Sequence, residues 1–275
     1  KTELIRLLQE NYRPENRVYR YNFFYDNCAT RPRDKIEESI AGKVIYPAEP
    51  QDGSLTFRDI VHQYCKGHPW ARFGIDLCIG SEADQPITQR QMMFAPFYLM
   101  DAFDGAQIKG DSIQRPLITA NELIVDATPE PDESDWMPTP LQCSLLLFIL
   151  TAAATIYGIR RRTGLWGIDL VLFGIAGIVG CVLAFLALFS QHPAVSPNYL
   201  LFVFHPLHLF CLPWMINKVR KQQKSWYMRT NCAVLTLFIL LWAIIPQRID
   251  LAVLPLALCL LVRSASNLIL TLKKR

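Results

Sequence analysis

The chain has almost no acid in its second half. Residues 141–275 hold two carboxylates, Asp169 and Asp250, against 13 Lys and Arg, a net +11. Residues 1–140 hold 22 Asp and Glu against 15 Lys and Arg, a net −7. The overall +4 is therefore no nucleic-acid signal: an acidic soluble part is joined to an apolar part with basic loops. No histidine precedes Cys28. The opening KTELIRLLQENYRPENR lacks the apolar core of a secretory signal. No cysteine and histidine group has zinc-ligand spacing, and no internal repeat is visible, so neither metal nor cofactor is expected.

What fills the second half is one apolar run after another. Five stretches approach the ~20 residues that cross a bilayer: 141–157, 168–190, 199–216, 231–246 and 251–272, the last interrupted by Arg263. The loops alternate in charge. Arg160, Arg161 and Arg162 follow the first stretch, and Lys218, Arg220, Lys221, Lys224 and Arg229 follow the third. The loop 191–198 carries no Lys or Arg, 246–250 carries Arg248 beside Asp250, and the tail 273–275 is basic. The positive-inside rule then puts residues 1–140 outside and the C-terminus in the cytoplasm, with five spans. An outward domain needs a secretory signal, so we expect a segment upstream of Lys1 to have been removed or left out.

Within the outward part, 2–11 reads as an amphipathic helix. Residues 18–26 read as a strand, because Tyr19, Tyr21, Phe23 and Tyr25 recur at every second place. From Cys28 to residue 41 the pattern turns helical and stops at Gly42. A short strand is expected at 43–46, helices at 54–65 and 88–102, and short strands at 106–108, 116–119 and 123–126; 70–79 gives a mixed signal. The acidic, proline-rich 126–140 reads as a linker. The domains are thus 1–125, a linker 126–140, a membrane part 141–272 and a tail 273–275.

Cys28 falls at the strand-to-helix junction, with Asn27 as a helix cap and Arg31 and Arg33 adding positive potential. A thiol at the positive end of a helix is favoured as thiolate, the form that attacks carbonyls. A buried structural cysteine is the alternative, and the two readings stand level on these residues alone. Cys143, Cys181, Cys211, Cys232 and Cys259 lie in or beside spans and read as packing residues. Cys28, Cys65 and Cys78 lie in the outward part, where disulfides can form; Cys65 with Cys78, leaving Cys28 free, is one of the possible pairings.

The blocks YNFFYDNCATRPRDKIEE, LTFRDIVHQY, WARFGIDLCIGSEADQPIT and MMFAPFYL, with the loop SQHPAVSPNYL and the HPL after it, resemble the Lnb-type lipoprotein N-acyltransferase family of bacteria in its Bacteroidota form. The likeness covers roughly residues 1–125 and 141–270. It implies an α+β periplasmic domain resembling a permuted papain-like, NlpC-type thiol fold, followed by an α-helical membrane domain of five spans in the bacterial inner (cytoplasmic) membrane. It implies transfer of a fatty acyl chain from a glycerol ester to the N-terminal amine of lipoproteins through an acyl-cysteine at Cys28. The partners are then membrane lipids and the lipid-modified N-terminal cysteine of lipoproteins, with no nucleic acid.

In that permuted branch the partner histidine precedes the cysteine. None does here, so the resemblance implies a chain that is catalytically incomplete for want of an upstream histidine. His62, or failing it His68, is the alternative base. The backbone N–H groups at Cys28 and the helix start are candidate oxyanion donors, with Asn27 to cap the helix and orient them, and Tyr25 is a further donor. Asp26 and Asp76 are candidates to orient a histidine. His192 and Asn198 lie in an outward loop where a headgroup would sit. His205 and His208 lie one turn apart within the third span, where an ionisable side chain is a functional candidate. Arg263 either binds an anionic headgroup or snorkels. Two other readings stay open: a membrane-anchored NlpC-class cysteine peptidase or amidase, and a non-enzymatic membrane scaffold.

Overall fold

The computed structural model describes residues 1–47, 55–110, 114–125 and 137–272. By its packing the chain divides into two compact units, Lys1–Tyr64 with Gln85–Glu133, and Cys65–Asp84 with Ser134–Arg275. The expected linker 126–140 lies outside the described residues up to 136, as does the tail 273–275.

The first unit is helical with one small sheet. Its helices are α1 (Thr2–Tyr12), α2 (Thr30–Glu38), α3 (Phe57–Tyr64), α5 (Gln89–Met92) and α6 (Pro96–Asp104). The sheet is antiparallel in the order β1 (Lys43–Ile45), β2 (Gln107–Lys109), β3 (Gln114–Pro116), with Lys43 opposite Lys109 and Gln107 opposite Pro116. The helix expected over 88–102 is two helices, because Pro96 has no N–H to continue the first and starts the second instead. The strand expected at 123–126 is not formed over 123–125.

The strand expected over 18–26 is a tight loop. Asn22 and Asp26 close it by exchanging backbone hydrogen bonds of 2.9 Å in both directions. The alternating aromatics do not mark a buried face. Tyr21, Phe23 and Tyr25 are 45, 49 and 37 % exposed, and the core residue is Phe24, at 6 %. Its ring packs on Phe57 at 4.5 Å and Phe94 at 5.1 Å, above a core that includes Ile60, Val61, Met93 and Ile108.

The second unit is a helical bundle. It contains α4 (Pro69–Cys78), α7 (Pro140–Arg161), α8 (Trp166–Phe189), α9 (Leu207–Phe210), α10 (Leu212–Arg220), α11 (Trp226–Leu240) and α12 (Val253–Leu272). Among the described residues α7, α8 and α12 are long and apolar enough to cross a membrane. The third expected span is broken. A 3-10 turn over Tyr199–Phe202 and the short α9 and α10 replace one helix, since Pro206 and Pro213 each remove a helical hydrogen bond. The fourth ends at Leu240, about 22 Å of helix, and runs on into a 3-10 turn, Trp242–Ile244, stopped by Pro246.

Two features hold this bundle. Glycine on α8 lets the broken third segment approach closely: a Cβ at Gly177 would lie 2.5 Å from the Leu209 amide, and one at Gly180 would lie 2.5 Å from the His205 backbone. The buried Arg263 of α12 grips Asp169 of α8 in two hydrogen bonds, of 2.6 and 3.1 Å, and donates to Thr155 of α7 at 3.1 Å. Arg263 thus neither snorkels nor faces a headgroup: at 2 % exposure it ties three helices together.

Candidate functional site

The first unit holds its cysteine at the surface on a turn that Asn27 fixes. Asn27 is 4 % exposed. Its Oδ1 accepts from the Ala29 and Thr30 amides, both at 2.9 Å. Its Nδ2 donates to the carbonyls of Phe23 at 2.9 Å and Phe94 at 2.8 Å. Thr30 answers with its hydroxyl, which accepts from the Asn27 amide at 2.8 Å. Asn27 is therefore a cap for the turn ahead of α2, as expected, and also a tie from that turn to the core segment at Phe94. The Cys28 thiol is exposed.

The amides of this turn are nearly all committed. Asp26 N–H goes to Asn22, Asn27 N–H to Thr30, Ala29 and Thr30 N–H to the Asn27 side chain, and Arg31 N–H to the Asn27 carbonyl at 3.2 Å. Among the described residues of 26–31, the Cys28 N–H alone has no acceptor. The start of the helix, expected to supply oxyanion donors, is occupied by its own cap.

Tyr21 lies within electrostatic reach of the thiol. Burial, then the charge of Cys28 and of Tyr19, raises its phenol above the ordinary range, so it stays a proton donor. Sequence reasoning missed Tyr21 and chose Tyr25. The signal was a turn short enough to fold position 21 back on position 28, concealed by the strand-like spacing. Tyr25 packs edge-on to Phe57 at 5.3 Å.

The basic residues do less for the thiol than expected. Arg31 is spent on Asp26, in a bidentate pair at 2.7 and 2.8 Å, with its guanidinium 3.4 Å from the Tyr19 ring centre. Asp26 is accordingly held by an arginine. Arg33 is buried and donates to Asp34 and to the Arg90 carbonyl. His62 lies half-buried on α3, in the same unit as Cys28 and on the helix whose first residue, Phe57, packs on Phe24.

The other expected residues belong to the second unit. Asp76 is buried on α4, and His68 precedes that helix. His192 is half-buried before a 3-10 turn, its amide bonded to Ser190 Oγ at 3.2 Å. Asn198, expected beside a headgroup, is 6 % exposed with both ends of its amide used: Nδ2 donates to the Leu77 carbonyl at 2.8 Å and Oδ1 accepts from the Leu200 amide at 3.0 Å. Gln247 completes this clamp, donating to the Ile79 carbonyl at 3.1 Å and accepting from the Tyr199 amide at 2.7 Å. Gly80 is needed there, because a Cβ would stand 2.5 Å from the Pro197 carbonyl oxygen.

His205 stacks on His208 at 3.8 Å between ring centres. His208 is fully buried: Nε2 donates to the Val203 carbonyl at 2.9 Å, which fixes the tautomer, and Nδ1 accepts from the Tyr227 hydroxyl at 2.7 Å. His208 thus satisfies a carbonyl freed by the helix break, a structural role. All eight cysteines are free thiols, so the structure shows no Cys65–Cys78 bridge.

A periplasmic domain presenting an exposed thiol, on a chain whose second unit has membrane-crossing helices, defines a multi-pass membrane protein. The family model of the Lnb transmembrane domain matches residues 132–275, and that of the Lnb N-terminal periplasmic domain matches residues 1–62. The chain belongs to the Lnb family. That membership links it to lipoprotein N-acylation and to acyltransferase-type enzymes. No curated protein and no solved structure shows significant similarity to it.

Proposed function

We propose that the protein is a thiol-dependent acyltransferase that moves a fatty acyl chain from a glycerol ester to the N-terminal amine of lipoproteins. The observation that carries this reading is the exposed Cys28, on a turn whose one uncommitted N–H is its own. A cysteine nucleophile needs a donor at the position where the carbonyl oxygen becomes anionic, and its own amide is well placed for that. The Tyr21 phenol supplies a second donor.

The thiolate attacks the ester carbonyl. A C–S bond forms, the C–O bond to glycerol breaks, and the glycerol oxygen leaves with a proton. The lipoprotein amine then attacks the thioester; a C–N bond forms, the C–S bond breaks, and the amine proton returns to the base. His62 is the histidine of the first unit and the base this chain itself offers. The thiol domain is of the permuted papain-like, NlpC type in this reading. Asp76, His192 and His205 are kept as substrate-side candidates, with five passes formed by the three long helices and the two broken ones. The basic loops at 160–162 and 218–229 support a cytoplasmic C-terminus, and the inner membrane is the location this reading requires.

The test is intact-mass spectrometry of the protein and of Cys28→Ser, each purified from lipid membranes. A fatty-acyl mass on the wild type, absent from the variant and removed by hydroxylamine, is expected. Unchanged lipoprotein acylation in cells carrying only Cys28→Ser would overturn the reading.

A further inference from the structure

The two basic loops of the membrane unit are tied together. The Gln222 side chain donates to the Arg162 carbonyl at 2.6 Å, and a Cβ at Gly164 would stand 2.8 Å from the Val219 carbonyl oxygen. Arg162 and Gln222 are also the two non-glycine residues of positive φ among those described, at 53 and 47°. Each lies just past the end of a helix, α7 and α10 respectively, so both helix ends turn sharply at the tie. The joint gathers cations without a counter-charge of its own. Arg162, Arg220 and Lys221 are exposed. The two carboxylates of 141–275 are taken elsewhere, Asp169 by Arg263 and Asp250 by Arg72 at 3.5 Å, and among the described residues no carboxylate pairs with these three. The Arg220 guanidinium instead lies over the Trp166 ring, 5.2 Å from its centre. Trp166 is 43 % exposed and is the first residue of α8, a helix long and apolar enough to cross a membrane. A cation at one helix C-terminus is favourable. Tying two such ends together sets like charges near one another, which is not, and an anion at the joint removes that repulsion.

We propose that this joint binds the phosphate of an anionic phospholipid, with Arg162, Arg220 and Lys221 as its cations. Charge selects an anion, and depth selects a lipid as its source. A tryptophan at the start of a membrane-crossing helix sits at headgroup level, so an anion beside Arg220 and Trp166 is one that the bilayer itself supplies. Guanidinium groups suit it, since each can offer two parallel N–H donors to one phosphate. At roughly fivefold per cation, three cations favour an anionic over a zwitterionic headgroup by on the order of 100-fold. The bound lipid braces the α7–α8 turn against the α10–α11 turn. The proposal does not rest on the acyltransferase reading, because no residue of the thiol domain enters it.

The test is native mass spectrometry of the full chain in detergent with equal amounts of phosphatidylglycerol and phosphatidylethanolamine. A tightly held phosphatidylglycerol is expected, preferred by on the order of 100-fold. Lys221→Gln alone should reduce that preference about fivefold, and the triple variant Arg162→Gln, Arg220→Gln, Lys221→Gln should abolish it. The control Arg160→Gln, Arg161→Gln, Arg229→Gln removes equal charge from the same two loops and should keep the preference to within about threefold, since exposed charges further off are screened. Thermal unfolding in detergent reports that each variant is folded. Added phosphatidylglycerol should raise the midpoint of the wild type and the control but not of the triple variant. Equal loss in the triple variant and the control would show diffuse positive charge rather than a site and would overturn the proposal. Displacement of the lipid by millimolar inorganic phosphate would overturn it too, by making the joint a site for free phosphate.

Discussion

Asn27 separates a helix cap from a structural clamp, and one substitution distinguishes them. Asp is as good an N-cap as Asn. If capping were the whole role, Asn27→Asp would be neutral within about 0.5 kcal/mol, the usual range for a harmless change. The structure says otherwise. Asp keeps the two bonds from Ala29 and Thr30 but lacks the two N–H donors that reach Phe23 and Phe94. Two carbonyls then lose partners at about 1 kcal/mol each, and a buried carboxylate oxygen faces them. Asn27→Asp should therefore cost about 2 kcal/mol or more. Asn27→Ala loses the cap as well, about 1 kcal/mol further, for a total near 3 kcal/mol. The assay is hydrogen exchange at the amides of residues 24–38 in the full chain, which reads local opening directly. About 30-fold faster exchange is expected for Asp and about 150-fold for Ala, at about 1.4 kcal/mol per decade. Acyl-cysteine yield should fall in the same order. An Asp variant that exchanges like the wild type would refute the clamp and return Asn27 to a plain cap.

Two other perturbations follow from the ion pairs. Arg263→Met leaves Asp169 charged and unpaired inside the bundle and should lower stability in detergent by about 3–5 kcal/mol; adding Asp169→Leu should restore most of it, because a paired buried charge is replaceable by apolar packing. In the first unit, burial pushes the Glu37 carboxyl up, but hydrogen bonds from Arg90 and Tyr46 and the charge of Arg90 outweigh it and hold the group below its ordinary range. A depressed carboxylate stabilises above its unfolded pKa and loses that contribution as pH falls through the folded one. Thermal unfolding should therefore show the wild type losing an increment of about 1 kcal/mol or less, since Arg90 is half exposed, below roughly pH 4.5. Glu37→Gln should lack that acid-side slope.

The helices were legible where the apolar pattern ran unbroken: α1 and α3 lie close to where local patterning sets them, and α7, α8 and α12 close to where long apolar runs do. The errors came from two physical sources. Period two was read as a buried strand at 18–26, yet alternation records only side, not depth, and here the alternating rings are the exposed ones around Phe24. Hydropathy over 199–216 and 231–246 counts apolar residues without regard to backbone hydrogen bonds, so Pro206, Pro213 and Pro246 were averaged away. Arg263 was visible as a charge in a span, but its partner Asp169 stands 94 positions earlier, beyond any local pattern.

The candidate site was legible in its cysteine and cap and hidden in its candidate donors. Cys28 and Asn27 announce themselves because thiol chemistry and capping are properties of residue type beside a helix start. Which amide is left for an oxyanion is a property of accounting: it emerges only after Asp26, Asn27, Ala29, Thr30 and Arg31 have each been assigned an acceptor and Cys28 has not. The same accounting demotes Arg31, whose charge is consumed by Asp26, while the Asn22–Asp26 bridge keeps Tyr21 within electrostatic reach of the thiol. Among the described residues of 26–31, the turn commits every N–H but that of Cys28, beside an exposed sulfur, and the proposed oxyanion role predicts that arrangement.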